Sequence, residues 1–238
     1  MNRRHVIPAL VSTITLAAAL VLGPAPVALA DQTITTQPYY AASGIKALHA
    51  QRLDGSGIKI AIIDGPVDTS VPELRGVNVI TKSFCDLKYA PSSIAHATNI
   101  AAILASPDYG WAPKVTILNY TIPGDDDSPD NTTTPGNASD CLLDSTDAGF
   151  LINQALNDGA NVISLSFVFD TGMAESSVIP YALTRAMNLQ VPVIAGAGND
   201  STTIDWSGLA GGSTVLGAGA IDGTGKKASS PTMISGYR

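Results

Sequence analysis

The chain has 238 residues, of which 45% are apolar, and a net charge of −7. The acidic balance argues against nucleic acid and anionic membrane surfaces as partners, and it suits a soluble secreted protein without naming a substrate. Two cysteines, with no CxxC pair and no clustered histidines, leave a metal site poorly supported.

Residues 1–30 have the pattern of a secretory signal peptide. Arg3 and Arg4 form a basic start, residues 11–22 an apolar stretch, and Ala28-Leu29-Ala30 a small-residue cleavage site. The alternative is a membrane anchor. The apolar run, broken at Gly23, Pro24 and Pro26, is shorter than the roughly 20 residues a span needs, so cleavage is the expectation, with no later segment apolar enough to cross a bilayer. Roughly 200 residues then remain, enough for one domain with a sizeable core. Export makes a Cys85–Cys141 disulfide possible, two free thiols being the less favoured alternative.

Residues 31–51 are polar and mixed, and are expected to wrap the surface ahead of a single domain spanning 52–238. Residues 58–63 form a short continuous apolar run after Gly55-Ser56-Gly57, the mark of a strand buried on both faces of a parallel sheet. Residues 115–120, 162–167, 191–195 and 214–220 repeat that character. Helical spacing falls between these runs. Ala148, Leu151, Ile152 and Ala155 lie at i, i+3, i+4 and i+7, with Asp144 or Ser145 as N-cap and Gly159 just past the end. Ile179, Ala182, Leu183 and Ala186 repeat the spacing, with Pro180 tolerable in a first turn. Strands alternating with helices predict βαβ units and an α/β fold, a parallel β-sheet flanked by helices on both faces. Residues 124–140, GDDDSPDNTTTPGNASD, read as a long exposed loop. Its acidic run, Asp125 to Asp127 with Asp130, has oxygen ligands of the kind calcium takes, but the spacing matches no EF-hand loop. No cofactor is expected, and calcium stays unassigned.

An aspartate at the carboxyl end of a buried strand, as Asp64 is, stands where α/β sheets place functional groups. His96 stands at the start of an apolar helix. Each alone is weak, but together they supply a carboxylate able to fix an imidazole tautomer and stabilise the imidazolium formed in general-base work.

Five ordered segments then resemble the subtilisin-like serine proteases, the subtilases. Asp64-Gly65-Pro66-Val67 is similar to the family's D-[ST]-G-[VI], and Val71-Pro72-Glu73-Leu74 to its H-P-x-L stretch. HATNIAAILA at 96–105 is similar to H-G-T-H-V-A-G-I-x-A, and Gly110-Trp111-Ala112-Pro113 to the connector that follows. GANVISLSF at 159–167 and VIAGAGN at 193–199 resemble the substrate-cleft and oxyanion segments. The resemblance implies that Asp64 orients His96, that His96 is the general base, and that the Asn199 side chain donates to an oxyanion. It implies too that Ser166, Phe167, Val168 and Gly196 line a cleft pairing with an extended peptide or protein substrate, and that the protein acts as a secreted monomer.

The sequence departs from the family pattern in four places. Ala97 replaces a glycine beside the histidine, and its methyl is expected to crowd helix against strand. Asn99 replaces the second histidine, Phe167-Val168 fills a position usually glycine, and Gly65-Pro66 removes a hydroxyl and one backbone N–H from the turn after the aspartate. The G-T-S-x-A-x-P nucleophile block is the missing member. Ser213, Ser229, Ser230 and Ser235 lack its context, so this chain is expected to be inactive alone. A non-catalytic secreted protein binding peptide segments is the alternative.

Overall fold

The computed structural model describes residues 39–40, 43–84, 87–122, 128–129, 145–167, 178–197, 203–204, 214–221, 225–226 and 233–234. The predicted leader, both cysteines, Val168 and Asn199 lie outside these residues, as does the acidic run at 125–127 and 130.

Six strands make one parallel sheet in the order β2-β4-β1-β6-β7-β9: β1 is Lys59–Asp64, β2 Asn78–Lys82, β4 Thr116–Thr121, β6 Val162–Leu165, β7 Val193–Gly196 and β9 Leu216–Ala218. The two-residue strands β3 (Leu87–Lys88) and β5 (Ser128–Pro129) pair with each other, as do β8 (Thr203–Ile204) and β10 (Met233–Ile234). Helix α1 (Ile45–Ala50) precedes the sheet and buries Ile45. Within the polar 31–51 segment, one apolar side chain is therefore enough to dock a short helix.

The five apolar runs are the strands β1, β4, β6, β7 and β9; burial on two faces explains the first four, whereas β9, expected to be buried likewise, is an edge strand exposed at Leu216 and Ala218. Alternate residues of β1 serve opposite cores: Ile60 and Ile62 pack with Ile117 of β4 on one face, while Ala61 and Ile63 pack with Leu118 and Tyr120 on the other. Helices cover both faces, as predicted. On the first, α2 (Pro91–Ala105) presents Ala97, Ala101, Ala102 and Ala105, small side chains that let its backbone come close to the sheet. On the second, α3 (Ser145–Asn157) and α4 (Val178–Asn188) bury Leu151, Ile152, Ile179 and Ala182, the periodic positions read from the sequence. Each fully buried aliphatic side chain contributes about 1.5–3 kcal/mol. Gly159 follows α3 with φ of 78°, the left-handed conformation that stops a helix.

Two further elements differ from expectation. Helix α2 begins at Pro91, so His96 sits in its second turn; Ala90 is extended (φ −67°, ψ 149°), as the residue before a proline must be, and Pro91 takes the first helical position. Strand β2, absent from the prediction, is an edge strand exposed at Asn78, Ile80 and Thr81, and an exposed edge need not be an apolar run.

The chain leaves β1 for the edge strand β2, returns through α2 to β4 beside β1, and crosses to β6 on β1's other side through α3. The connections on the two sides of β1 thus run over opposite faces. This is the topological switch point at which open α/β sheets form a crevice beyond the strands' carboxyl ends, and Asp64 ends β1 there.

Candidate active site

Asp64 is the last residue of the central strand and is 5% exposed. Its Oδ1 accepts two hydrogen bonds, from the Gly65 backbone N–H at 2.8 Å and from His96 Nδ1 at 2.9 Å. The carboxylate therefore fixes the imidazole as the Nδ1–H tautomer, which leaves Nε2 as the nitrogen able to take a proton. The pair is asymmetric: the Asp64 side chain is 7% exposed and that of His96 54%. Asp64 is the buried anchor and His96 the group that meets solvent. The hydrogen bond to Asp64 raises the His96 pKa above the ordinary imidazole value, desolvation opposes it, and the carboxylate's charge adds to the rise.

Helix α2 carries His96 to Asp64 because it comes unusually near the sheet. A Cβ on Gly65 would lie 2.6 Å from the Ser93 carbonyl oxygen, so only glycine allows that approach. The methyl of Ala97, expected to crowd the contact, is fully buried and packs within the core beneath α2.

The turn after Asp64 is held from both neighbouring elements. Thr98 Oγ1, on α2, accepts the Asp68 N–H at 2.9 Å and donates to the Ile94 carbonyl at 2.6 Å. Asn119, on β4 and fully buried, donates through Nδ2 to the Gly65 carbonyl at 3.0 Å and accepts the Val67 N–H at 3.1 Å. Sequence reasoning passed over Asn119. The signal was present: an amide in the middle of the apolar run Ile117-Leu118-Asn119-Tyr120 must find partners if that run is buried. Asp64 Oδ2, by contrast, has no hydrogen-bond partner among the described residues.

Of the predicted cleft residues, Ser166, Phe167 and Gly196 stand at or just beyond the carboxyl ends of β6 and β7, the same edge of the sheet as Asp64. A Cβ on Gly196 would touch the Ser166 carbonyl carbon at 3.9 Å, so the two segments are adjacent. Phe167 is half-buried and packs against the α3–α4 core. A cavity of about 310 Å³ between Met187, Val191 and Leu216 lies near the opposite ends of β7 and β9 and has no part in this site. Among the described residues, no three His, Cys, Asp or Glu side chains gather to hold a metal ion.

Residues 55–235 match the Subtilase family. The chain belongs to that family. Two of this subtilase's relatives are a thermophilic serine proteinase of Bacillus sp. (strain AK1) and thermitase of Thermoactinomyces vulgaris. The first is 31% identical over 176 residues, 70% of this chain and 39% of the relative. The second is 32% identical over 163 residues, 63% of this chain and 50% of the relative. The chain thus spans between 39% and 50% of the length of these two curated relatives. Among solved structures it is similar to the prenylagaramide maturation protease PagA, with a TM-score of 0.60 and 26% identity over 79% of this chain and 62% of that one. Serine-type peptidase chemistry is the activity that goes with the family.

Proposed function

We propose that this subtilase is the Asp–His portion of a secreted serine endopeptidase that hydrolyses peptide bonds through an acyl-enzyme. The observation that carries this reading is the 2.9 Å hydrogen bond from His96 Nδ1 to the buried Asp64 carboxylate, at the switch point of the sheet. In the reaction, His96 Nε2 removes the proton of a serine hydroxyl as the oxygen attacks the scissile carbonyl, and Asp64 stabilises the resulting imidazolium. His96 then returns the proton to the leaving amine. Asn199 donates to the oxyanion, and the edge formed by Ser166, Phe167, Val168 and Gly196 pairs with the extended substrate. Residues 1–30 direct export and are removed, and the acidic mature protein works as a monomer on peptides, not on nucleic acid or membranes.

The nucleophile in this reading is none of Ser213, Ser229, Ser230 or Ser235, because none has the small residue and proline that the G-T-S-x-A-x-P block places after it. The reading calls for a serine in a block of that kind. Translating the downstream DNA in three frames is expected to reveal that block, and a fluorophosphonate probe is expected to label the longer product but not the 238-residue chain. Labelling of the longer product should vanish in His96→Ala. Absence of the block over several hundred bases would favour a non-catalytic peptide-binding protein instead. Stoichiometric, His96-dependent labelling of the 238-residue chain itself would show that the nucleophile had been misplaced.

A further inference from the structure

The segment that follows Asp64 cannot hold its own shape. Position 65 has no room for a side chain, because a Cβ there would lie 2.6 Å from the Ser93 carbonyl oxygen and 2.9 Å from its carbon. Position 66 is proline and has no N–H to donate. Neither residue can brace the carboxylate with a hydroxyl or a second backbone donor. Yet among the described residues Asp64 Oδ1 accepts hydrogen bonds from the Gly65 N–H and from His96 Nδ1. The orientation of the Gly65 peptide therefore sets the orientation of the carboxylate.

Asn119 holds the adjoining Gly65–Pro66 peptide from the neighbouring strand, and so limits how Gly65 can turn. Its Cα pairs with Ile62 in the β1–β4 register, two residues before Asp64, and side chains two apart on a strand share a face. The amide reaches past Asp64 to the turn, donating Nδ2–H to the Gly65 carbonyl at 3.0 Å and accepting the Val67 N–H on Oδ1 at 3.1 Å. Gly65 is thus held at both ends, its N–H by Asp64 and its C=O by Asn119. From the other side, the Thr81 hydroxyl of β2 donates to Asn119 Oδ1 at 3.3 Å, which fixes which end of the amide faces which partner. An amide offers a donor and an acceptor on one small planar group, as a carbonyl and an N–H two residues apart require. Placing it in a fully buried position of an apolar strand is costly unless every polar atom is used. Here both ends are used on one turn.

We propose that Asn119 is a positioning residue for the Asp64–His96 pair: its buried amide clamps Gly65 and Val67, and through the Gly65 N–H it aims the Asp64 carboxylate at His96 Nδ1. This rests on the reading of Asp64 and His96 as a catalytic dyad. It assigns the clamp to β4, an element outside the aspartate and histidine motifs themselves.

The test is the imidazole titration of His96 by NMR in the isotope-labelled 238-residue chain, with the His49 resonance and a thermal melt as controls for folding. It needs no nucleophile, so it is independent of whether a serine completes the site. Asn119→Ala, which removes both ends of the clamp, is expected to move the His96 midpoint down toward free imidazole while the melt stays cooperative. Asn119→Thr suits a strand and keeps one hydroxyl; it is expected to give an intermediate midpoint, and it decides the matter if the alanine variant does not fold. A folded variant that loses thermal stability but titrates at His96 like the parent would overturn the proposal, because that is the signature of a merely structural amide. Asp64→Asn in the same titration separates the two readings. If that change also leaves His96 unmoved, the dyad itself fails; if it moves His96 and the Asn119 variants do not, only the positioning role fails.

Discussion

Asp64 and Thr121 are register partners across β1 and β4, and each keeps one buried side-chain oxygen, Oδ2 and Oγ1, with no hydrogen-bond partner among the described residues. Partners in a parallel ladder project to the same face, so both oxygens belong to the α2 side of the sheet, below His96. A buried hydroxyl without a partner costs about 1–3 kcal/mol, whereas its apolar isostere costs nothing of the kind. Thr121→Val should therefore leave the urea midpoint unchanged or raise it. A loss of more than about 1 kcal/mol would mean that this hydroxyl is a working partner of the site.

Gly65 separates packing from polar chemistry. Introducing a side chain there to restore a hydroxyl beside Asp64 should fail, because the first carbon meets the Ser93 backbone, which cannot swing away as a side-chain tip can. Gly65→Ala and Gly65→Ser are both expected to destabilise by about 1–3 kcal/mol in denaturant titrations, the range for overpacking. A serine variant clearly more stable than the alanine variant and the parent would show that α2 can retreat, and that the close approach is not fixed.

The pH dependence of stability has a definite sign on each side. The folded-state pKa of His96 is raised, first by its hydrogen bond to Asp64. Its contribution is thus fully present below the unfolded value of about 6.5 and is lost as pH rises through the folded value. Asp54 is lowered by its hydrogen bonds to Lys114 and Ser56, and Asp158 by those to Lys82 and Tyr120. Their contributions are present above the ordinary aspartate range and are lost as pH falls through the folded values. Stability should decline in both directions from mildly acidic pH. His96→Ala should flatten the alkaline limb and leave the acid limb in place; an unchanged alkaline limb would detach His96 from that decline.

How much of this was legible in the residues depends on how each residue earns its place. The strands β1, β4 and β6 were visible because a strand covered on both faces must be apolar throughout, and α3 and α4 because one buried stripe imposes the 3.6-residue spacing. Strand β2 was not, since an edge strand with Asn78, Ile80 and Thr81 exposed carries no such pattern. Asp64 and His96 were found by their motifs and are hydrogen-bonded as those motifs imply. Asn119 was missed because an amide within an apolar run shows only that it must find partners, not which; these, Gly65 and Val67, are backbone groups 54 and 52 residues earlier. Ala97, where crowding was expected, is fully buried in the core beneath α2 beside Ala101, Ala102 and Ala105.

The proposed chemistry depends on Asp64 holding His96 ready as a base. The most direct measurement compares the NMR titration of the His96 imidazole in the parent chain and in Asp64→Asn. The carboxylate stabilises the imidazolium, and the amide that replaces it cannot. The parent midpoint should lie above that of free imidazole, and the Asp64→Asn midpoint clearly below the parent's in a chain that still melts cooperatively. Identical midpoints in the two folded proteins would contradict the claim that this pair is a preassembled general-base dyad.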